Sequence, residues 1–185
     1  MLEITYNVRE FKSDTDIWLY FAPVKSAALD NIITKAVEMG VAVLQPVITK
    51  NTVVGRVNVE RMTANAIEAA EQCERITVPV VNEPVSFTEA INSLNERKLI
   101  YGDESGVSEP AGSVIKNLPK GKYAILIGPE GGFAPEELEK LKNNPNCIGI
   151  TLGPRILKAD TAAIVALSVF MSELGDWDEK PCFRG

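Results

Sequence analysis

Two glycine-bearing loops, about twenty residues apart, constrain the fold of this chain more than any other feature. The first reads IGPEGGF over residues 127–133, and the second reads LGPRILKADTA over residues 152–162. Each follows a short apolar run that is typical of a β-strand and precedes a stretch that is typical of a helix. Two successive strand–loop–helix units place both loops at the carboxyl ends of strands, where open α/β sheets bind ligands. The sequence therefore predicts a candidate site at that edge of a sheet.

The rest of the chain repeats this alternation of strands and helices. Apolar runs predict strands at 17–22, 41–47, 76–81, 98–101, 123–127 and 147–152. Amphipathic stretches predict helices at 26–39, 59–73, 87–94, 135–142 and 161–174. Strands that alternate with helices indicate a parallel α/β sheet flanked by helices. The last helix is apolar nearly all round, which predicts burial on several sides and favours a subunit interface.

Composition excludes several classes of chemistry. The chain has 185 residues, 45% of them hydrophobic and 24% charged, as in a soluble globular chain with one core-bearing domain. It contains no histidine, so histidine triads, histidine general bases and histidine-ligated metals are excluded. Three scattered cysteines, with neither a signal peptide nor a run long enough to span a membrane, predict a cytoplasmic protein. The net charge of −6 argues against non-specific binding of nucleic acid by this chain alone.

The sequences of the two loops restrict the class of ligand that they can bind. The first loop lacks the lysine of a phosphate-binding P-loop and the spacing of a dinucleotide fingerprint. In the second, Ile156 and Leu157 stand between Arg155 and Lys158. The apolar pair can wall a flat aromatic ligand such as adenine, or it can plug the core beneath the loop. Together the loops predict a site made mostly of main chain, which suits a neutral or zwitterionic cofactor better than a triphosphate.

Four ordered motifs resemble the signature of a known family. They are the two glycine loops together with TKAVEMGV at residues 34–41 and EAAEQCER at residues 68–75. They resemble the ribosomal RNA small-subunit methyltransferase E family of the SPOUT superfamily. The likeness covers residues 17–175, which would form the methyltransferase domain. Residues 1–16 would then be a remnant of an N-terminal PUA-like barrel or a linker, and residues 176–185 a polar tail.

The resemblance implies a function and a topology. It implies an enzyme that uses S-adenosylmethionine to methylate the position-three ring nitrogen of one uridine in small-subunit (16S) ribosomal RNA. It also implies a homodimer that needs no metal and has no membrane partner. The fold would be an α/β SPOUT-type sheet with a deep C-terminal trefoil knot, a rare exception to unknotted topology.

Site residues follow from the positions of the motifs. The cofactor cradle would comprise Ile127, Gly128, Gly132, Leu152, Gly153, Ile156 and Leu157. Arg155 would orient the uridine or stabilise its anion. Glu130 would accept the proton, or else cap the helix that begins near Ala134. Lys35, Arg75 and Lys158 are expected to contact RNA, and a solvated helix face is the alternative for Lys35 and Arg75.

This chain departs from the family pattern in three respects. Lys158 stands where the family usually has arginine, and Asp160 where it usually has glutamate. Lysine keeps the charge but cannot reproduce a bidentate arginine contact. By this resemblance, residues 1–16 would supply only the tail of the barrel that helps the family grip RNA. Two alternatives therefore stay open: a knotted methyltransferase for another RNA position, or a truncated cofactor-binding dimer without RNA methylation activity.

Overall fold

A computed structural model describes residues 15–180 of the protein. The expectations for residues 1–14 and 181–185 lie outside the described residues. Within residues 15–180, no helix is both long and apolar enough to cross a membrane.

The core of the fold is one parallel sheet of seven strands. The strands are β1 (Ile17–Phe21), β2 (Val43–Ile48), β3 (Val80–Val81), β4 (Val85–Ser86), β5 (Lys98–Gly102), β6 (Tyr123–Ile127) and β7 (Cys147–Ile150). Their order across the sheet is β3-β2-β1-β6-β5-β7, and β4 also pairs with β2. Every pairing is parallel. The predicted parallel α/β sheet is confirmed, and the trefoil knot stays a prediction.

Helices cover both faces of this sheet. They are α1 (Ser26–Glu38), α2 (Val59–Gln72), α3 (Phe87–Asn92), α4 (Ala111–Ile115), α5 (Pro135–Asn143) and α6 (Ala159–Glu173). Helices α1, α2, α4 and α6 pack on one face, and α3 and α5 pack on the other. Successive side chains of a strand point to opposite faces. Accordingly, Leu19 and Ile125 join the core under the first group of helices, while Tyr20 and Leu126 join the core under the second.

The last helix has one buried side and one half-buried side. Ala163, Leu167 and Phe170 are buried against the sheet, and the Phe170 ring lies 5.5 Å from that of Tyr123. A second group of apolar residues on the same helix is only half-buried: Ile164, Val165 and Val169. The expected burial is therefore present on the core side, and an apolar flank is left for another contact.

Strand β2 begins two residues later and ends one residue later than the predicted 41–47, and it contains Pro46 in its interior. Proline removes a donor from the strand ladder, so its presence there needs a structural reason. The outer neighbours β3 and β4 pair with Val43–Leu44 and Val47–Ile48, so neither of them pairs at Pro46. The Gln45 side chain fills this gap and donates hydrogen bonds to the carbonyl oxygens of Pro46 and Glu83, both at 2.9 Å. Because no strand needs its missing N–H on that side, Pro46 is tolerated inside β2.

Two other stretches differ from expectation. The strand predicted over residues 76–81 shortens to Val80–Val81 at the sheet edge, with Ile76 and Val78 exposed. The sequence predicted no helix or strand between 101 and 123, but this stretch contains the short helix α4, whose Ala111 and Ile115 are buried. In both stretches the packing of neighbouring elements overrides the local pattern.

Candidate functional site

The order β6-β5-β7 brings three loops together at the carboxyl edge of the sheet. Strand β5 pairs with β6 on one side and with β7 on the other. The loops that follow these strands enclose a cavity of about 240 Å³. Its lining comes from residues within 102–106, 127–130 and 150–157, and from Ala159 and Ala162 of α6. Both glycine loops therefore face one cavity.

The loop after β5 forms a third wall that the sequence analysis did not identify. Asp103 is buried and accepts hydrogen bonds from the Ser108 hydroxyl at 2.7 Å and the Ser105 main-chain N–H at 2.9 Å. Burial acts to raise the pKa of Asp103, but these hydrogen bonds outweigh it and hold the pKa below its ordinary value. The carboxylate is therefore ionised at neutral pH. The turn-rich GDESG string directly after a predicted strand was the signal that could have located this wall.

A glycine in β7 leaves room for this arrangement. A Cβ placed on Gly149 would lie 2.4 Å from the Ser108 hydroxyl oxygen and 3.0 Å from that of Tyr101. Any side chain at this position would displace the serine that donates to Asp103. The absence of a side chain at Gly149 thus helps to hold Ser108 and Asp103 in position.

The first glycine loop is a tight turn with Glu130 near its tip. The Gly132 N–H donates to the Pro129 carbonyl at 2.9 Å, and Gly132 has a φ of +67°, which favours glycine. From the loop after β2, the Asn51 amide donates to the carbonyls of Gly131 and Gly132, each at 3.1 Å. A residue some eighty positions earlier in the chain therefore fixes the turn.

Glu137, rather than Glu130, caps α5. The Ala134 N–H donates to Glu137 Oε2 and the Lys50 N–H donates to Glu137 Oε1, both at 2.9 Å. Glu137 is buried, whereas Glu130 is exposed. The capping role that was the alternative for Glu130 is thus filled by another carboxylate, and Glu130 stays at the cavity.

The second glycine loop presents its apolar residues to the cavity. Gly153 has a φ of +107°, a conformation that L side chains rarely adopt. Ile156 is 82% exposed and Leu157 is half-buried, and both line the cavity. The alternative that this pair plugs the core is therefore wrong for Ile156. Arg155 is exposed and lines the cavity as well.

A second cavity of about 490 Å³ lies beside the first. It is lined by Ala27, Ala28, Asn31, Glu130, Lys158, Ala159 and Asp160. The Asn31 amide donates to Asp160 Oδ2 at 3.2 Å across it, which links α1 to the start of α6. Glu130 and Ala159 line both cavities, so Glu130 lies where the two meet.

Most residues predicted for the site line one of these cavities. The first is lined by Ile127, Gly128, Glu130, Leu152, Gly153, Arg155, Ile156 and Leu157. Gly132 lies just outside it: a Cβ placed there would be 3.6 Å from Glu104 Oε2, and Glu104 lines the cavity. Lys158 lines the second cavity.

Two predicted residues lie outside both cavities. Lys35 forms an ion pair with Glu38 of the same helix at 2.8 Å. The Arg75 guanidinium donates to the carbonyls of Val37 and Val41 at 3.0 and 2.8 Å. These bonds tie the end of α2 to the turn between α1 and β2.

The ionisable side chains of the first cavity are mostly acidic. Asp103, Glu104 and Glu130 line it, against Arg155 as the basic residue. Over residues 15–180, no three cysteine, aspartate or glutamate side chains are grouped so that they could hold a metal ion.

Comparison with known proteins decides the family. A family described as an RNA methyltransferase domain matches residues 11–171. The chain belongs to this family. It is 35% identical to the ribosomal RNA small subunit methyltransferase E of Rickettsia conorii, over 81% of this chain and 62% of that protein. The corresponding protein of Bacillus subtilis is 34% identical, over 78% of this chain and 60% of that protein. The chain spans about 60% of the length of these curated relatives.

Solved structures agree with this family. A ribosomal RNA small subunit methyltransferase E from Neisseria gonorrhoeae, bound to S-adenosyl methionine, is 28% identical with a TM-score of 0.78, over 88% of this chain and 68% of that one. A methyltransferase from Legionella pneumophila in complex with the same cofactor is 27% identical with a TM-score of 0.77, over 88% and 69%. A TrmH/SpoU tRNA modifying enzyme from Aquifex aeolicus, 15% identical with a TM-score of 0.59 over 88% and 77%, shares the fold. The SPOUT-type fold and the resemblance drawn from the four motifs are confirmed.

The hydrogen bond between Ser108 and Asp103 predicts a pH-dependent contribution to stability. Because the pKa of Asp103 is lowered from 3.8, its stabilisation is present above about pH 4 and is lost as the pH falls through the folded-state pKa. We expect Ser108→Ala to lower the free energy of unfolding by about 1–3 kcal/mol near neutral pH, and by less at about pH 3. Urea denaturation at both pH values measures this. The exposed Ser113→Ala is the control, and an equal loss at both pH values would contradict the assignment.

Proposed function

We propose that this chain binds S-adenosylmethionine in the three-loop cavity and transfers its methyl group to the position-three ring nitrogen of a uridine in small-subunit ribosomal RNA. One observation carries the proposal: both glycine loops, whose wording resembles the methyltransferase E signature, line the same cavity at the carboxyl edge of the sheet. Two relatives of the same fold were solved with this cofactor. Such an enzyme would act in the cytoplasm, where the ribosome is assembled.

The chemistry of the cavity fits this cofactor. Ile127, Ile156 and Leu157 supply apolar surface for an adenine ring, and Gly128 and Gly153 allow close approach of the main chain. S-adenosylmethionine, when bound, supplies an activated methyl group on a positively charged sulfur. The remaining task of the protein is to orient the uridine and remove its proton, and alignment of the reacting groups can supply much of the rate.

The position of Glu130 at both cavities supports a role in taking up that proton. The neutral imino nitrogen of uridine is a poor nucleophile, so its proton leaves before or during methyl transfer. Glu130 is exposed and lines both the cofactor cavity and the second cavity, where a base could approach. Glu137 caps α5, so the carboxylate of Glu130 is not needed for that cap. Arg155 lines the cofactor cavity and can orient the uridine or stabilise its anion.

Three basic residues are the candidates for contact with RNA, and one of them, Lys158, lines a cavity. Lys158 is exposed and lines the second cavity, which supports a contact with the phosphate backbone. The side chain of Lys35 is 39% exposed and can reach RNA beside its pairing with Glu38. The main-chain hydrogen bonds of Arg75 favour an anchoring role for its guanidinium, with RNA contact as a secondary one.

A second candidate function is a cofactor-binding dimer that does not methylate RNA. The net charge of −6 favours it, since phosphate attraction dominates the affinity of RNA-binding proteins. The presence of both family loops in one cavity favours the enzyme. A different RNA target is the other alternative, because the fold alone does not select the base.

Mapping the product decides among these candidates. Small ribosomal subunits and naked small-subunit ribosomal RNA from cells that lack this methylation would be incubated with the chain and labelled cofactor. We expect label in 3-methyluridine at one position, identified by nucleoside mass spectrometry and primer extension. Label in a ribose or a guanine would overturn the uridine assignment. Cofactor binding without any labelled RNA would favour the non-catalytic dimer.

Substitution of the two candidate catalytic residues should separate binding from turnover. We expect Glu130→Gln to lower kcat by about 10²–10⁴-fold, the range for loss of a general base, and Arg155→Ala to lower it by at least about tenfold. Both variants should still bind S-adenosylmethionine within about tenfold of the parent, because each changes one charge at the cavity and leaves the main-chain contacts in place. Calorimetry and single-turnover methylation measure the two effects. Arg56→Ala and Glu139→Gln, both exposed and outside the two cavities, are the controls. Unchanged turnover removes the residue from the catalytic list.

The proposed homodimer would use the half-buried flank of α6. Ile164, Val165 and Val169 leave apolar surface on the isolated chain, and such surface is typical of an interface. We expect the chain to sediment as a dimer and Val165→Glu to shift it to monomer, because a charge at an apolar interface is costly. Analytical ultracentrifugation measures this, with circular dichroism to check folding. The exposed Thr88→Glu on α3, which packs on the opposite face of the sheet, is the control. A monomeric parent chain would contradict the dimer.

A further inference from the structure

The cofactor cavity has a wall of negative charge that the proposed chemistry does not use. Asp103 and Glu104 follow directly after β5 and both line the cavity. Neither takes part in the transfer of the uridine proton, which falls to Glu130. These two carboxylates are therefore free to act on the bound cofactor through their charge.

Asp103 is fixed and charged. It is 3% exposed, and its two oxygens accept hydrogen bonds from the Ser105 N–H and the Ser108 hydroxyl. Among residues 15–180, no ion pair reaches this carboxylate, although the charge of Lys142 acts on it from a greater distance and helps to lower its pKa. A buried carboxylate held by neutral donors keeps its negative charge and projects its field into the cavity.

Glu104 extends the same wall toward the first glycine loop. Its Oε2 would lie 3.6 Å from a Cβ on Gly132, so the carboxylate reaches across to the loop after β6. Its side chain is exposed. With Glu130 on the same cavity and Arg155 as the opposing basic residue, the lining carries an excess of negative charge.

We propose that the Asp103–Glu104 wall makes the cavity selective for the sulfonium cation of the methyl donor over the neutral thioether that remains after transfer. This inference rests on the proposed function. The donor's ammonium and carboxylate cancel, and the sulfonium adds one positive charge. In the transfer, the bond between sulfur and methyl breaks, and its electron pair stays on sulfur. A new bond forms between the methyl group and the uridine nitrogen. The proton of that nitrogen passes to Glu130. The thioether product, S-adenosylhomocysteine, therefore loses the charge that the wall attracts.

The consequence is a higher affinity for the donor than for the product, which favours turnover. A site that holds the donor mainly by main-chain contacts would hold the product as tightly, because both share the adenosine and amino-acid groups. A field that acts on the sulfonium alone adds affinity for the donor and none for the product. The wall thus favours exchange of spent product for fresh donor.

The test compares two ligands in matched variants of the full chain. Calorimetry at about 50 mM salt gives the dissociation constants of S-adenosylmethionine and S-adenosylhomocysteine. We expect Glu104→Gln and Asp103→Asn each to lower the preference for the donor by about threefold to tenfold, as loss of a unit charge at the edge of a partly hydrated cavity implies. Product affinity should change by less than about twofold, and added salt should weaken donor binding more than product binding. Glu109→Gln removes a neighbouring exposed carboxylate outside the cavity and should leave the preference unchanged.

The outcomes separate this inference from the proposed function. If the parent chain binds neither ligand, the proposed function fails, and the inference with it. If the parent binds both and the preference is unchanged in Glu104→Gln, the inference alone is overturned. A parallel loss of both ligands in Asp103→Asn overturns it for that residue, since a structural role weakens both equally. Thermal unfolding of each variant confirms that the comparison is between folded proteins.

Discussion

The position of β5 between β6 and β7 is the constraint on which the candidate site depends. In a parallel sheet all strands point the same way, so adjacent strands deliver their following loops to the same edge. The register fixes this closely, since Tyr101 pairs with Leu126 and Gly102 with Ile150 at the ends of the three strands. Two loops that are separated along the chain thereby share a cavity, with the β5 loop as their common wall. A different strand order would leave the same sequences as unrelated turns.

Long-range contacts then hold the loops in place. Asn51 and Lys50, from the loop after β2, bind the carbonyls of Gly131 and Gly132 and the carboxylate of Glu137. On the other side, α6 begins at Ala159, within the stretch of the second glycine loop, and is fixed by the packing of Phe170 on Tyr123. The cavity is therefore bounded by elements anchored in the core. Such preorganisation suits a reaction that depends on the alignment of three atoms.

The sequence predicted the parts of the fold that local patterns encode. Apolar runs located β1, β5 and β6 to within a residue, and the wording of the glycine loops identified most of the residues that line the cavity. What it missed depends on contacts between distant positions. The hydrogen bonds from Lys50 to Glu137 and from Asn51 to Gly131 join the loop after β2 to residues 87 and 80 positions away. No periodicity of a single segment contains that information, and the same holds for Pro46, which is tolerated only because β3 and β4 leave a gap beside it.

We infer that three separate loops form one site for a methyl donor. Amide hydrogen exchange of the full chain, measured with and without S-adenosylmethionine, tests this most directly. We expect slower exchange in all three segments, 102–106, 127–132 and 151–157, and unchanged exchange at the sheet edge around residues 76–81. Protection of only one segment, or of a surface away from the carboxyl edge of β5, would contradict it.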